Sequence, residues 1–369
     1  MHSTQALLKS VTIGDLELKN RVIMAPMTRN RADNKDNAPT QLHAEYYAQR
    51  AGAGLIISEG SQISDAAVGY INTPGIYTEN QVKGWEKVTE AVHKNEGKIF
   101  LQLWHCGRIS HPKFHDGEKP LAPSAVNPNT QAYTPDGFED TVEPQAMSVA
   151  DIKQTVLDFK HAAENAKRAG FDGVEIHGSN GYLIHQFLNK NANIRTDDYG
   201  GNIENRARFF FEILEAISEV WPENRIGVRF NPSLNDAFGI TASEESIATF
   251  DHIIEKLNAY DSAYLHLSEP FTDVSQIDYL ETNIAKHYRP IYKGKLMINA
   301  GFDQESGNKV IDEGNADMVS FAKLFISNPD LPERFSKNAA LADWDEETFY
   351  TPGPKGYTDY PEFDSEKPK

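Results

Sequence analysis

Short apolar runs and longer amphipathic stretches alternate along the chain. At 173–178, Gly173, Val174, Glu175 and Ile176 form a compact, mostly apolar run that stops at a glycine-containing turn, the pattern of a buried strand. Equivalent runs fall at 21–27, 54–60, 98–104, 226–232, 264–270, 295–301 and 318–324, eight in all. Between them, apolar residues recur at three- and four-residue spacing. Over 148–169 the series is Val149, Ile152, Val156, Phe159, Ala163 and Ala166, with Ser148 and Asp151 spaced to cap the first turn. The stretch 78–92 opens likewise, on Thr78 and Gln81 ahead of Trp85, Val88 and Val92. Phe210, Leu214, Ile217 and Trp221 mark 202–221, and Ile247, Phe250, Ile254 and Leu257 mark 243–257. These periods predict helices. A strand–helix unit repeated eight times predicts an α/β fold of the (β/α)8, or TIM-barrel, class.

Such barrels need about 250 residues, and roughly 120 more are present here. Residues 106–147, rich in Pro, Gly, Asn and His, form a long insertion after the third run. It falls on the face where barrels carry their catalytic loops, which predicts a partial lid. Near the start, VTIGDLELKN alternates about a Gly-Asp turn and predicts a β-hairpin that plugs the opposite end. No linker interrupts the pattern, so one domain over 1–369 is expected.

Composition then excludes several functions. A net charge of -18 is the wrong sign for a nucleic-acid partner, which needs a basic footprint, and is read as a device for solubility. The single cysteine, Cys106, excludes an internal disulfide and any cysteine-only metal or iron–sulfur cage, and fits a reducing cytoplasm. The opening MHSTQALLKS has no apolar core of a signal peptide. Pro, Gly or charges break every apolar run well before the roughly 18 residues a membrane span needs. Neither secretion nor membrane insertion is expected.

Chemistry should collect where the runs end. Thr28 follows the first, Gln102 and Trp104 end the third, His177 ends the fourth, and Arg229 lies late in the fifth. His177, Asn180 and Tyr182 put three hydrogen-bond donors within six residues. Each, taken alone, also fits a buried side chain that satisfies nearby backbone groups. Tyr182 fits a core tyrosine, and Arg229 fits a salt bridge to Glu175. It is their recurrence at strand ends that points to a ligand. His177 and His185, eight residues apart without a nearby carboxylate, match no standard zinc spacing, so no metal is expected. The AGAGLIIS run follows a helix, which is the wrong context for a dinucleotide fingerprint.

Several long motifs, in order, resemble the Old Yellow Enzyme family of flavin-dependent ene-reductases. They are NRVIMAPMTRNRA at 20–32, GLIISEG at 54–60, LQLWHCGR at 101–108, DGVEIHGSNGYLIHQFLN at 172–189, RTDDYGGNIENRARF at 195–209 and FISNPDL at 325–331. The resemblance implies an FMN, tightly but not covalently bound across the barrel mouth, and NAD(P)H as hydride donor. It implies small enone, enal or nitro substrates and a monomer or homodimer. A flavin-binding barrel acting mainly on nitro or nitrate-ester xenobiotics, a non-catalytic flavin binder and a metal-dependent hydrolase are the competing readings.

By this resemblance Ala25, Pro26, Met27, Thr28 and Gly60 contact the flavin ring. Thr28 meets the flavin O4, Gln102 the pyrimidine edge, and Arg229 the N1–O2 side. Asn299, Ala300, Gly301, Ala322 and Lys323 hold the phosphate. The family commonly has Gly-Arg at the last two positions. Lysine keeps the charge but loses the bidentate fork, so a weaker grip on the phosphate is expected. His177 and Asn180 bond the substrate's activating oxygen and Tyr182 gives its proton to the α-carbon. Trp104 and Tyr357 shape the substrate pocket, with Tyr70 and Phe271 as further candidates.

Overall fold

The structure is a computed structural model and describes residues 5–363. The first four residues of the N-terminal stretch read above lie outside that range. Eight parallel strands form a closed ring: Val22–Met24, Leu55–Ile57, Ile99–Trp104, Gly173–His177, Ile226–Phe230, Tyr264–Ser268, Leu296–Asn299 and Met318–Phe321. Each pairs with the next in sequence, and the eighth pairs with the first. This is the predicted TIM barrel. The paired segments are shorter than the apolar runs, because past Met24 the backbone leaves the ladder and turns over the barrel mouth.

Strand residues alternate between two environments, as the two-residue period of a strand requires. Val174, Ile176, Val228, Leu265, Leu267 and Ile298 face outward into the main core shared with the surrounding helices. Inward-facing Ile23, Leu55, Ile57, Phe100, Tyr264, Met297 and Met318 form a second apolar cluster inside the ring. The expected hairpin, Val11–Ile13 against Leu16–Leu18, joins that second cluster through Val11, Ile13, Leu16 and Leu18. One end of the barrel is thereby stopped with apolar side chains.

The predicted helices form where their caps place them. Thr78 and Gln81 make a reciprocal capping box at the start of Glu79–Lys94, and Ser148 and Asp151 make one at the start of Val149–Arg168. Satisfying free N–H groups this way stabilises a helix start by about 1 kcal/mol. Ile203–Ser218 and Ser246–Leu257 account for the other two stretches. The insertion after the third strand carries an antiparallel hairpin, Gln131–Thr134 with Gly137–Asp140, and its residues overhang the open end of the barrel. Among the described residues, no helix is long and apolar enough to cross a membrane.

Candidate active site

A cavity of about 710 Å³ opens at the C-terminal ends of the strands, a volume within the range of small-molecule and cofactor sites. Pro26, Met27, Thr28, Gly60, Gln102, Trp104, His177, Asn180, Tyr182, Arg229, Ala322 and Lys323 all line it. Residues from six strand ends thus converge on one space. Gly60 is required by close approach: a Cβ there would stand 2.7 Å from the Trp104 ring.

At the fourth strand the chain leaves His177 and turns sharply through Asn180 and Gly181, both in the left-handed region at φ 56° and 73°. This lifts Asn180 and Tyr182 over the cavity beside His177. The Nδ1 of His177 lies 3.1 Å from the Ser179 hydroxyl. Burial, reinforced by the Arg229 charge, drives the imidazole pKa well below its ordinary value, so the ring is neutral. A serine hydroxyl can donate as well as accept, and in the tautomer where Nδ1 accepts from Ser179 the ring presents Nε2–H as a donor toward the cavity.

The amide of Asn180 is oriented by a partner that can act in one way only. Asn231 Oδ1 accepts from the Asn180 backbone N–H at 3.1 Å, so the other end of the Asn231 amide must be its NH2. That NH2 donates to Asn180 Oδ1 at 3.0 Å. The Asn180 NH2 is left as a second donor.

Tyr182 donates to the hydroxyl of Tyr70 at 3.2 Å and stands edge-on to Trp104, with ring centroids 4.9 Å apart. Burial raises its pKa well above the ordinary phenol value, so it stays protonated. Deeper in the site, Gln102 Nε2 donates to Glu175 at 2.8 Å. A carboxylate only accepts, so the Gln102 carbonyl oxygen is the free end. Arg229 donates through Nη2 to Asn299 Oδ1 at 3.2 Å, while among the described residues its buried Nε has no partner, and neither does Trp104 Nε1. The Glu175 carboxylate bonds His266 and Gln102 in place of the direct salt bridge to Arg229 that the sequence allows.

Five expected site residues do not reach the cavity wall. The correction is largest for Tyr357, which is fully buried with its ring stacked 3.9 Å from that of Tyr46. Arg29 and Arg31 cause this by donating to the carbonyls of Thr348, Phe349, Gly353, Lys355 and Gly356 and drawing the C-terminal segment inward. Tyr350 stands at the cavity instead. Ala25 is buried and its N–H is taken by the carbonyl of Phe321. Asn299 sits behind Arg229, its NH2 donating to the Ser320 carbonyl. Ala300 and Gly301 line a separate depression with Phe302. Both adopt left-handed backbone, at φ 73° and 79°, which costs alanine about 1 kcal/mol and is typical of functional loops. Of the weaker candidates, Tyr70 lines the cavity and Phe271 packs edge-on to Phe238 at its rim. Asn231, Ser179 and Tyr350 were not expected. Two of them carry a signal in the sequence: Asn231 lies near the end of the fifth run, and Ser179 directly follows the fourth.

The cavity fits a flavin by its own chemistry. An acceptor at Gln102, an under-satisfied guanidinium at Arg229, a hydroxyl at Thr28 and a cation at Lys323 are spread over one apolar-floored space. Among the described residues, no group of three or more His, Cys, Asp or Glu could hold a metal ion. A closed parallel barrel with this donor set at its mouth defines a flavin-dependent oxidoreductase.

Comparison with known proteins agrees. Residues 6–342 match the model of the NADH:flavin oxidoreductase / NADH oxidase family. The chain is similar to morphinone reductase, with 43% identity, a TM-score of 0.92, and coverage of 100% of this chain and 99% of that one. It is also similar to the Old Yellow Enzyme homologue of Zymomonas mobilis, at 39% identity and a TM-score of 0.91 over 96% of this chain and 99% of that one. The 12-oxophytodienoate reductase 1 of Oryza sativa subsp. japonica is 39% identical over 361 residues, covering 96% of this chain and 92% of the relative. The chain belongs to this family, the Old Yellow Enzyme family of FMN-dependent oxidoreductases. It is an enzyme that uses NAD(P)H to reduce activated C=C bonds.

Proposed function

We propose that the chain reduces α,β-unsaturated carbonyl or nitro compounds by a ping-pong cycle, in which NAD(P)H and the alkene enter the same cavity in turn. FMN, when bound, would supply the two-electron chemistry that links NAD(P)H oxidation to hydride addition at the β-carbon of the alkene. His177 and Asn180 hold the activating oxygen of the substrate between Nε2–H and the Asn180 NH2. Negative charge grows on that oxygen during reduction, and two donors already oriented toward it act as an oxyanion hole, each worth roughly 3 kcal/mol. Tyr182, kept protonated by burial, gives its proton to the α-carbon. Trp104, Tyr70 and Tyr182 wall this end with aromatic faces.

The remaining residues hold the cofactor tightly without a covalent link. Gln102 offers its carbonyl oxygen and Arg229 its charge to the pyrimidine edge, with Thr28, Pro26, Met27 and Gly60 against the ring. Ala322 and Lys323, together with the left-handed Ala300–Gly301 turn, serve the phosphate end. The whole is carried by one barrel domain.

The observation that carries this reading is the pair of oriented donors, His177 and Asn180, beside a protonated phenol in one cavity. Anaerobic stopped-flow mixing tests it. The purified, FMN-loaded protein should be bleached by NADPH or NADH and reoxidised by 2-cyclohexenone without oxygen. A protein that bleaches but is not reoxidised by any enone, enal or nitroalkene is a flavin binder, and the reading fails.

A further inference from the structure

Six consecutive barrel strands, the third to the eighth, each place a polar residue in the barrel interior, and these residues are linked by hydrogen bonds, with one link running through the Ser320 main-chain carbonyl. Gln102 Nε2 donates to Glu175 Oε1 at 2.8 Å. The Nδ1 of His266 lies 2.9 Å from Glu175 Oε2, and its Nε2 lies 2.8 Å from the Ser320 hydroxyl. Asn299 donates to the Ser320 carbonyl at 2.8 Å and accepts from Arg229 at 3.2 Å. All six are buried, and only the two ends, Gln102 and Arg229, also line the cavity. A chain of polar groups inside an apolar barrel is costly unless every member is satisfied. Here the Glu175 carboxylate forces the directions of its bonds to Gln102 and His266, while Arg229 Nε has no partner among the described residues.

Its centre is Glu175. Burial would raise this carboxyl, but His266, Arg229 and Gln102 outweigh burial and hold it below its ordinary value, so it is ionised. Burial keeps His266 below its ordinary value despite the carboxylate, so the ring is neutral and donates from Nδ1. The interior therefore carries one negative charge at Glu175 facing one positive charge at Arg229. Two consequences follow for a flavin whose pyrimidine edge rests on Gln102 and Arg229. The Gln102 amide is held with its oxygen outward, and Arg229 reaches the cofactor with its charge partly offset from below.

We infer that Glu175 is a positioning residue that sets the reduction potential of the bound flavin. It fixes the Gln102 amide and opposes the negative charge that reduction places beside Arg229. This inference rests on the flavin placement proposed above.

The test is the reduction potential of bound FMN, measured by dye equilibration, together with the dissociation constants of the oxidised and reduced forms. In Glu175→Gln the negative charge is gone. The potential should move positive, and the preference for reduced over oxidised FMN should rise about tenfold, the scale of a charge acting across several ångströms of protein. Glu175→Asp keeps the charge and should keep the parental potential while binding both forms less tightly. A merely structural role would weaken both redox forms alike in all variants and leave the potential unmoved. Should Glu175→Gln not fold, Glu175→Gln/His266→Gln replaces the ion-centred pair by two complementary amides and should show the same positive shift. A flavin-loaded neutral variant with the parental potential overturns the inference while leaving the proposed function intact. So does failure of both neutral variants to take up FMN, which would make Glu175 a folding residue only. A parent protein that takes up no FMN overturns both.

Discussion

Asn231 holds the Asn180 carboxamide by two hydrogen bonds, one from the Asn180 backbone N–H and one to the Asn180 side-chain oxygen. The first bond forces the direction of the second, and the second turns the Asn180 NH2 outward. A residue outside the cavity lining therefore decides whether Asn180 meets a ligand as donor or as acceptor.

Asn231→Asp preserves size but cannot donate. The aspartate still accepts from the backbone N–H, and the Asn180 amide should rotate to give its NH2 to the new carboxylate, leaving its oxygen toward the cavity. Affinity for a para-substituted phenol should fall by roughly tenfold or more, because one of two donors has become an acceptor. Titration of the long-wavelength charge-transfer band measures this. An unchanged dissociation constant would show that Asn180 does not hold the oxygen.

Tyr182→Phe removes the acid while keeping the ring against Trp104. The alkene half-reaction should slow by about 10²-fold or more, and reduction by NAD(P)H should stay nearly constant. Tyr70→Phe removes the hydroxyl that accepts from Tyr182 and should affect the same half-reaction to a smaller degree. Single-mixing stopped flow separates the halves; equal loss in both would remove Tyr182 from the proton-donor role.

Glu59 ends the second barrel strand region, fully buried, accepting from the Arg29 backbone N–H and the Tyr47 hydroxyl. Burial raises its pKa from 4.5 to about 7, against the lowering effect of Arg29, Tyr47 and Arg31. The folded state thus holds this proton more tightly than the unfolded chain. Its contribution to stability is full below pH 4.5 and is lost as the pH rises through about 7, at up to about 1.4 kcal/mol per pH unit. Denaturant melts from pH 5 to pH 8 should show this decline on top of other titrations, and Glu59→Gln should flatten it. A variant with the parental slope would place the Glu59 proton elsewhere.

Lys323 lines the cavity, yet its ammonium is bonded to Glu346 at 2.8 Å and lies over the Trp344 ring. Both partners of that ion pair are more than half exposed, so the pair itself is weak. Lys323→Ala should raise the FMN dissociation constant by about tenfold, whereas Lys323→Arg, which restores a bidentate fork, should lower it. Glu346→Gln should tighten binding slightly by releasing the ammonium. Fluorescence titration of apoprotein with FMN reads all three, and no change in Lys323→Ala would move the phosphate away from this end.

The barrel was legible because its cause is periodic. Buried strands and amphipathic helices need apolar residues at spacings that survive in one dimension, and the Thr78–Gln81 and Ser148–Asp151 boxes are local enough to be read by eye. The same holds for the hairpin at 11–18. The cavity residues Thr28, Gln102, Trp104, His177, Asn180, Tyr182 and Arg229 were legible for a related reason: the fold rule places them at strand ends, and strand ends face one mouth. Tyr357 misled because its position is set by Arg29 and Arg31, more than 300 positions earlier in the chain, and no local pattern encodes that reach.

The sequence by itself determined the eight-fold alternation, the family and the residue types at the barrel mouth, because these rest on short-range periodicity and on motifs contiguous in the chain. Only the tertiary structure decided which way each polar group points. The His177 ring is met by Ser179, two residues along a sharp turn, whereas the donor face of Asn180, the outward oxygen of Gln102 and the charge beneath Arg229 come from Asn231, Glu175 and His266, which closure of the ring brings within hydrogen-bond distance. A side-chain amide has no preferred direction until a partner with a single role is placed against it.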